Sequence, residues 1–228
     1  MGSIFNFSDY DQLIPLIINS LVAGGLLALV GGLIGIFVMN RDMSFAVHGI
    51  SELSFAGAAF ALLERAAAQP ASGSVLLLGA GESSDAYHMS SPHPEGLGAR
   101  LAMEAALRSA GLPASAIDYI NLHGTATPAN DAAEGKAVVA LFGDQVPCSS
   151  TKGATGHTLG AAGAVEAVIC ALAMTNDLLP GSPNTTTRDP AIPLDYQLTS
   201  RSGKVRHALS NSFGFGGSNC SLVLGVAQ

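Results

Sequence analysis

The chain contains no tryptophan, only three cysteines and few charges: 12% of its 228 residues are charged, against 48% hydrophobic. Cys148, Cys170 and Cys220 fall in no paired spacing and no CxxC, which excludes a disulfide framework and a zinc knuckle and sets a reducing compartment as the expectation. Positive charge is scarce as well, with ten Lys and Arg against seventeen acids and a net charge of −7. A nucleic-acid partner needs clustered cations and is therefore excluded. So much apolar composition with so little charge implies a membrane segment or an unusually buried one.

One stretch accounts for much of it. From Leu13 to Met39 there is no charged residue, and the run exceeds the ~20 residues that cross a bilayer. It predicts one transmembrane helix. Asp9 and Asp11 precede it where a cleaved signal would carry Lys or Arg, and Arg41 follows it, so the C-terminal side is expected in the cytoplasm, anchored at the inner membrane. Gly31 and Gly35 form a GxxxG spacing, which allows close helix approach but is common in membrane helices without a specific partner. His48 and Glu52, four residues apart, would share a helix face. Two ligands make no metal site, and no metal is expected here.

After about Ala58 the pattern becomes that of a layered α/β sheet. Val75–Gly81, VLLLGAG, reads as a buried strand, and residues 95–113 as an amphipathic helix closed by Gly111 and Pro113. Residues 118–124 form a strand that delivers His123 at its end. A helix over 132–141, a strand over 145–149 and a long helix over 160–174 follow. Strands over 207–212 and 221–226 are expected to pair antiparallel around a glycine-rich turn. The seam between the two patterns falls in Ala56–Arg65.

Three clusters carry chemistry. HGTATPAND, His123–Asp131, sets an imidazole over a tight turn beside two hydroxyls. SSTKGATGHTLGAAGAVEA holds Lys152 and His157 on a loop that runs into a helix opening with small residues, whose N-terminal amides favour developing negative charge. A phosphate loop is not satisfied there, because Lys152 precedes the glycines, and GAGESS at Gly79 is only a partial dinucleotide fingerprint. NSFGFGGSN, Asn211–Asn219, breaks a strand into glycines that can aim amides at a ligand, with phenylalanines to wall an apolar channel. Each cluster alone could be a structural turn.

Together and in this order, from about Gly81 to Val226, the clusters resemble the C-terminal half of β-ketoacyl-acyl-carrier-protein synthases of the thiolase-like superfamily. The resemblance implies two domains, residues 1–57 and 58–228, the second being half of a thiolase-like layered α/β fold. It implies catalytic roles for His123 and His157 in decarboxylation and in stabilising the enolate and thioester oxygens, with Lys152 and Glu134 organising them. Thr125 and Thr127 would line the pantetheine channel, and Phe213, Phe215 and Gly216 the acyl pocket, with Phe215 its gate. It implies no cofactor beyond substrates carried on phosphopantetheine, and an acyl carrier protein as partner. The family's nucleophilic cysteine belongs to an N-terminal half whose strand, elbow and helix have no counterpart here. A homodimer, or a separate cysteine-bearing half, is then the expected complement. The segment through Gly57 resembles the permease subunit of manganese- and zinc-type ABC importers, which keeps two other readings open: a transporter fragment with a passenger domain, and a nonfunctional fusion.

Overall fold

The computed structural model describes residues 73–227. The expected membrane helix over 13–39, His48, Glu52 and the seam lie outside these residues. Five helices and strands carry the first part of the frame: β1 (Val75–Ser84), α1 (Leu97–Ala110), β2 (Tyr119–Asn121), α2 (Pro128–Phe142) and β3 (Pro147–Ser149). They are followed by a single turn α3 (Lys152–Thr155), the long α4 (Ala162–Thr175), short strands β4 (Leu178–Leu179), β5 (Asp195–Tyr196) and β6 (Arg201–Ser202), then β7 (His207–Phe213) and β8 (Ser218–Val226). The main sheet runs β1-β8-β7-β2-β3-β5, and β4 pairs with β6 apart from it.

β7 and β8 form the expected antiparallel hairpin, from His207 opposite Gly225 to Phe213 opposite Asn219. β1 lies antiparallel outside β8. β7, β2, β3 and β5 are parallel, so their C-terminal ends open on one edge, the edge where open α/β sheets place ligands.

Strand periodicity divides the core in two. Ile120, Leu209 and Val223 face one side, where they pack with Met103 and Ala106 of α1 and Val138 of α2. Their neighbours Tyr119, Ala208 and Leu224 face the other, against Cys170 and Met174 of α4. Successive side chains point to opposite faces of a strand, so both faces of this sheet need cover.

α1 lies close on β1. A Cβ on Gly79 would come within 2.5 Å of the Ala106 carbonyl oxygen and the Ala110 nitrogen, so glycine permits that approach. α1 ends where the sequence places its stop, with Gly111 at φ 65° and the Leu112 N–H donating to the Leu107 carbonyl, the left-handed cap that glycine adopts at least cost. α2 starts earlier than predicted, at Pro128. Thr127 and Pro128 there occupy the N-cap and first helical positions, where a missing N–H does no harm.

Candidate active site

His123 follows β2, Lys152 follows β3, His157 precedes α4 and Phe213 ends β7, so all four sit at the open edge of the parallel strands. The rings of His123 and His157 meet edge to face, with centroids 5.4 Å apart and planes at 84°. Phe213 also packs on His123, its ring centroid 5.6 Å away.

The turn that carries His123 is held from beneath by Glu134 on α2. Its carboxylate accepts the His123 and Gly124 backbone N–H groups at 2.8 and 2.9 Å and the Asn211 side-chain amide at 3.0 Å. Ser221 on β8 in turn donates to Asn211 Oδ1 at 2.7 Å. Burial pushes the Glu134 carboxyl above its usual range, while the two backbone N–H groups, Asn211 and Lys152 oppose that shift. Ser150 closes the turn by donating to the Gly124 carbonyl at 2.7 Å.

Lys152 is buried, and each of its three protons has a partner: the His123 carbonyl at 2.6 Å, His123 Nδ1 at 3.4 Å, and Glu166 on α4. That arrangement assigns the tautomer. An ammonium can only donate, so His123 Nδ1 accepts and Nε2 carries the proton. His157 matches it, because its Nδ1 accepts the Leu159 N–H at 3.2 Å. Burial, then the charges of Lys152 and His157, hold His123 well below the usual imidazole range. His123 is therefore a neutral N–H donor at physiological pH, suited to an oxygen on which negative charge develops.

A cavity of about 420 Å³ opens beside the pair, lined by Thr125, Glu134, Lys152 and His157 together with Arg188 and Tyr196. Thr127 stands behind Thr125, with their hydroxyls 2.8 Å apart. Phe215 does not line this cavity; it is 46% exposed on a short 3₁₀ turn, and Phe213 is the phenylalanine in contact with His123. Gly216 takes φ 82° in that turn, with its N–H on the Met89 carbonyl at 2.8 Å.

Sequence reasoning misses two contributors. Glu166 is the only charge in α4 and falls on the helix face turned to the sheet, a signal that was open to reading. Asn211 gives no signal, since a polar residue inside a buried strand shows its partner only in three dimensions. Among the described residues no group of three His, Cys, Asp or Glu could hold a metal. The buried Asn121 Oδ1 on β2 has no hydrogen-bonding protein partner, and such an oxygen is one that an ordered water satisfies.

None of the three cysteines is placed as a nucleophile. Cys148, Cys170 and Cys220 are all buried. Burial pushes the Cys148 and Cys170 thiols far up, and that of Cys220 to about 12.

The mixed α/β sheet thus brings two imidazole donors together at its strand ends. In comparison with known proteins, residues 75–186 match the β-ketoacyl synthase C-terminal domain. Residues 13–80 match the ABC 3 transport family, overlapping the first match at the start of β1. The 3-oxoacyl-[acyl-carrier-protein] synthase 2 of Vibrio harveyi is 49% identical over 154 residues, which are 64% of this chain and 37% of that one. Among solved structures, the ketosynthase ApeO in complex with its chain length factor ApeC from Xenorhabdus doucetiae is 51% identical with a TM-score of 0.64. That match covers 70% of this chain and 40% of the other. AntDE:AntF, a type II PKS acyl-carrier protein in complex with its ketosynthase, is 31% identical at a TM-score of 0.64, with coverages of 67% and 38%. The chain thus spans little more than a third of the curated relative it matches.

Proposed function

We propose that residues 58–228 form half of a thiolase-like fold and supply the decarboxylating, oxyanion-holding side of a 3-oxoacyl-[acyl-carrier-protein] synthase site. The observation that carries this reading is the His123–His157 pair, in which both Nδ1 atoms accept a hydrogen bond and both Nε2 atoms therefore carry the proton. A malonyl thioester whose carbonyl oxygen accepts those protons can lose carbon dioxide, since the electrons of the breaking C–C bond pass into an enolate whose oxygen the two donors stabilise. Thr125 and Thr127 are assigned to the pantetheine arm, Phe213, Phe215 and Gly216 to the acyl pocket, and an acyl carrier protein to the delivery of both thioesters. Condensation also needs a thiolate to hold the acyl group. The three buried cysteines do not provide it, so we assign that thiolate to a separate cysteine-bearing half. Residues 1–57 are read as a membrane-anchoring segment, with the catalytic part on the cytoplasmic side. A metal-importer permease fragment carrying a passenger domain is the second reading, favoured by the ABC 3 transport match over residues 13–80.

The test is to give the full chain labelled malonyl and acyl carrier proteins and to follow carbon dioxide and β-ketoacyl product together. Slow carbon dioxide release without product, lost in His123→Ala and in His157→Ala, is the expected result. Efficient condensation that Cys148→Ala abolishes would overturn the assignment of the thiolate.

A further inference from the structure

We propose that Arg188 holds the phosphate of an incoming phosphopantetheine arm at the cavity beside His123 and His157. The inference rests on the reading of that cavity as a thioester site, and adds to it the residue that recognises the charged end of the arm. Arg188 and Lys152 are the two Lys or Arg residues on the cavity wall. Lys152 has no proton left to give, since the His123 carbonyl, His123 Nδ1 and Glu166 take all three. The ion pairs among the described residues use Arg100, Arg108, Lys136, Lys152 and Arg201. Arg188 is in none of them, and it is exposed. The loop that carries it is held in place. Asn184, left-handed at φ 63°, donates its side-chain amide to the Gly153 carbonyl at 2.7 Å, and a Cβ on Gly153 would strike the Pro183 carbonyl oxygen. The loop therefore lies directly on α3, the turn that begins with Lys152. Beyond Arg188 the Ile192 N–H closes the loop on the Asp189 carbonyl at 3.1 Å.

Three carboxyls share the wall with Arg188, and each has donors of its own. Glu134 takes the His123 and Gly124 N–H groups. Asp131, raised by burial, is met by the Asn130 side chain and by the Ala126 and Thr125 backbone, and Asp189 takes the Ala191 N–H at 2.9 Å. The guanidinium is left for an anion from outside, and its fork matches two phosphate oxygens at once. A malonyl thioester on this arm brings two anions, the carboxylate and the phosphate. The carboxylate departs as carbon dioxide while its charge passes to the enolate oxygen. A cation fixed on it would stabilise the ground state more than the transition state and slow the step. The phosphate keeps its charge throughout, so holding it anchors the arm without raising that barrier. This decides between the two anions.

Binding rather than turnover is the test. The full chain is titrated by equilibrium dialysis with S-acetyl-4′-phosphopantetheine, S-acetyl-pantetheine and S-malonyl-pantetheine. The phosphorylated arm should bind about tenfold tighter than the same arm without phosphate, as one charged hydrogen-bonded contact allows. Arg188→Gln should remove that preference and leave the affinity for S-acetyl-pantetheine unchanged, whereas Arg188→Lys should keep part of it. Arg108→Gln, on α1 with its side chain 69% exposed, removes the same charge elsewhere and should change neither affinity. Equal binding of the two acetyl arms to the wild type, or a preference for phosphate that survives Arg188→Gln, would overturn the proposal and leave the thioester reading of the cavity standing. A preference for the malonyl over the acetyl arm that Arg188→Gln abolishes would overturn it as well and give Arg188 to the carboxylate. If no arm binds to the wild type, the pantetheine reading falls and this inference with it.

Discussion

The charge of a buried side chain is set by its neighbours. Lys152 and Glu166 are 7% and 2% exposed at their side chains, and a charge left alone there has no water to turn to. Lys152→Met is expected to cost roughly 3–5 kcal/mol, and the double change Lys152→Met with Glu166→Leu distinctly less, in urea denaturation. Equal costs would mean that the pair is not coupled. His123 adds a pH dependence. The unfolded chain protonates this imidazole near 6.5, while the folded chain holds it neutral well below that. As pH falls below about 6.5 the unfolded state takes up the extra proton and stability drops, by at most ~1.4 kcal/mol per pH unit. Glu134 acts in the opposite sense, since its raised carboxyl contributes stability at low pH that is lost as pH rises through its folded value. The difference in slope between wild type and His123→Gln isolates the histidine, and the variant should show the smaller loss on acidification. The cysteines give a third residue-scale expectation. With thiols pushed up by burial, the native chain should resist iodoacetamide at pH 8 and label only once unfolded, as read by mass spectrometry. Rapid labelling of native Cys148 would reopen its candidacy as a nucleophile.

At the scale of elements, two glycines constrain α1 for different reasons. Gly111 sits at φ 65° with open space around it, so Gly111→Ala costs only the left-handed backbone, about 1 kcal/mol. Gly79 has ordinary dihedrals, but a Cβ there would strike backbone atoms of α1. Gly79→Ala must push the helix away, with the 1–3 kcal/mol or so of an overpacked core. A thermal or urea series that reversed this order would show that the contact between β1 and α1 is looser than described. These elements are largely legible in the sequence. The helix stop at Gly111, the strand ahead of His123 and the late hairpin all follow from local rules of capping and periodicity. β5, β4 and β6 are not legible, because two-residue strands have no period to display and exist only through their partners. The early start of α2 escapes notice because its first turn, Pro128–Asp131, belongs equally to a polar loop.

For the whole molecule, the uncharged run from Leu13 to Met39 should keep the expressed full chain in the membrane pellet through alkaline carbonate extraction, and release into the supernatant would remove the anchoring assignment. Among the described residues no helix is long and apolar enough to cross a membrane, so this expectation belongs to the N-terminal segment alone. Whatever depends on neighbours along the chain can be read from the order of residues: an apolar run long enough to span a bilayer, the alternation of strands and helices, and the three motifs whose order resembles that of the ketosynthases. Which residues act on one another is settled in three dimensions. The fold sets Asn211 and Ser221 behind Glu134, gives Lys152 to Glu166, puts Phe213 rather than Phe215 against His123, and brings Arg188 to the cavity that His157 lines. The physical reason is range. Caps, turns and periodicity act over a few residues, whereas a buried carboxylate or ammonium must be satisfied by whatever the fold brings to it, and those partners lie far away in the chain.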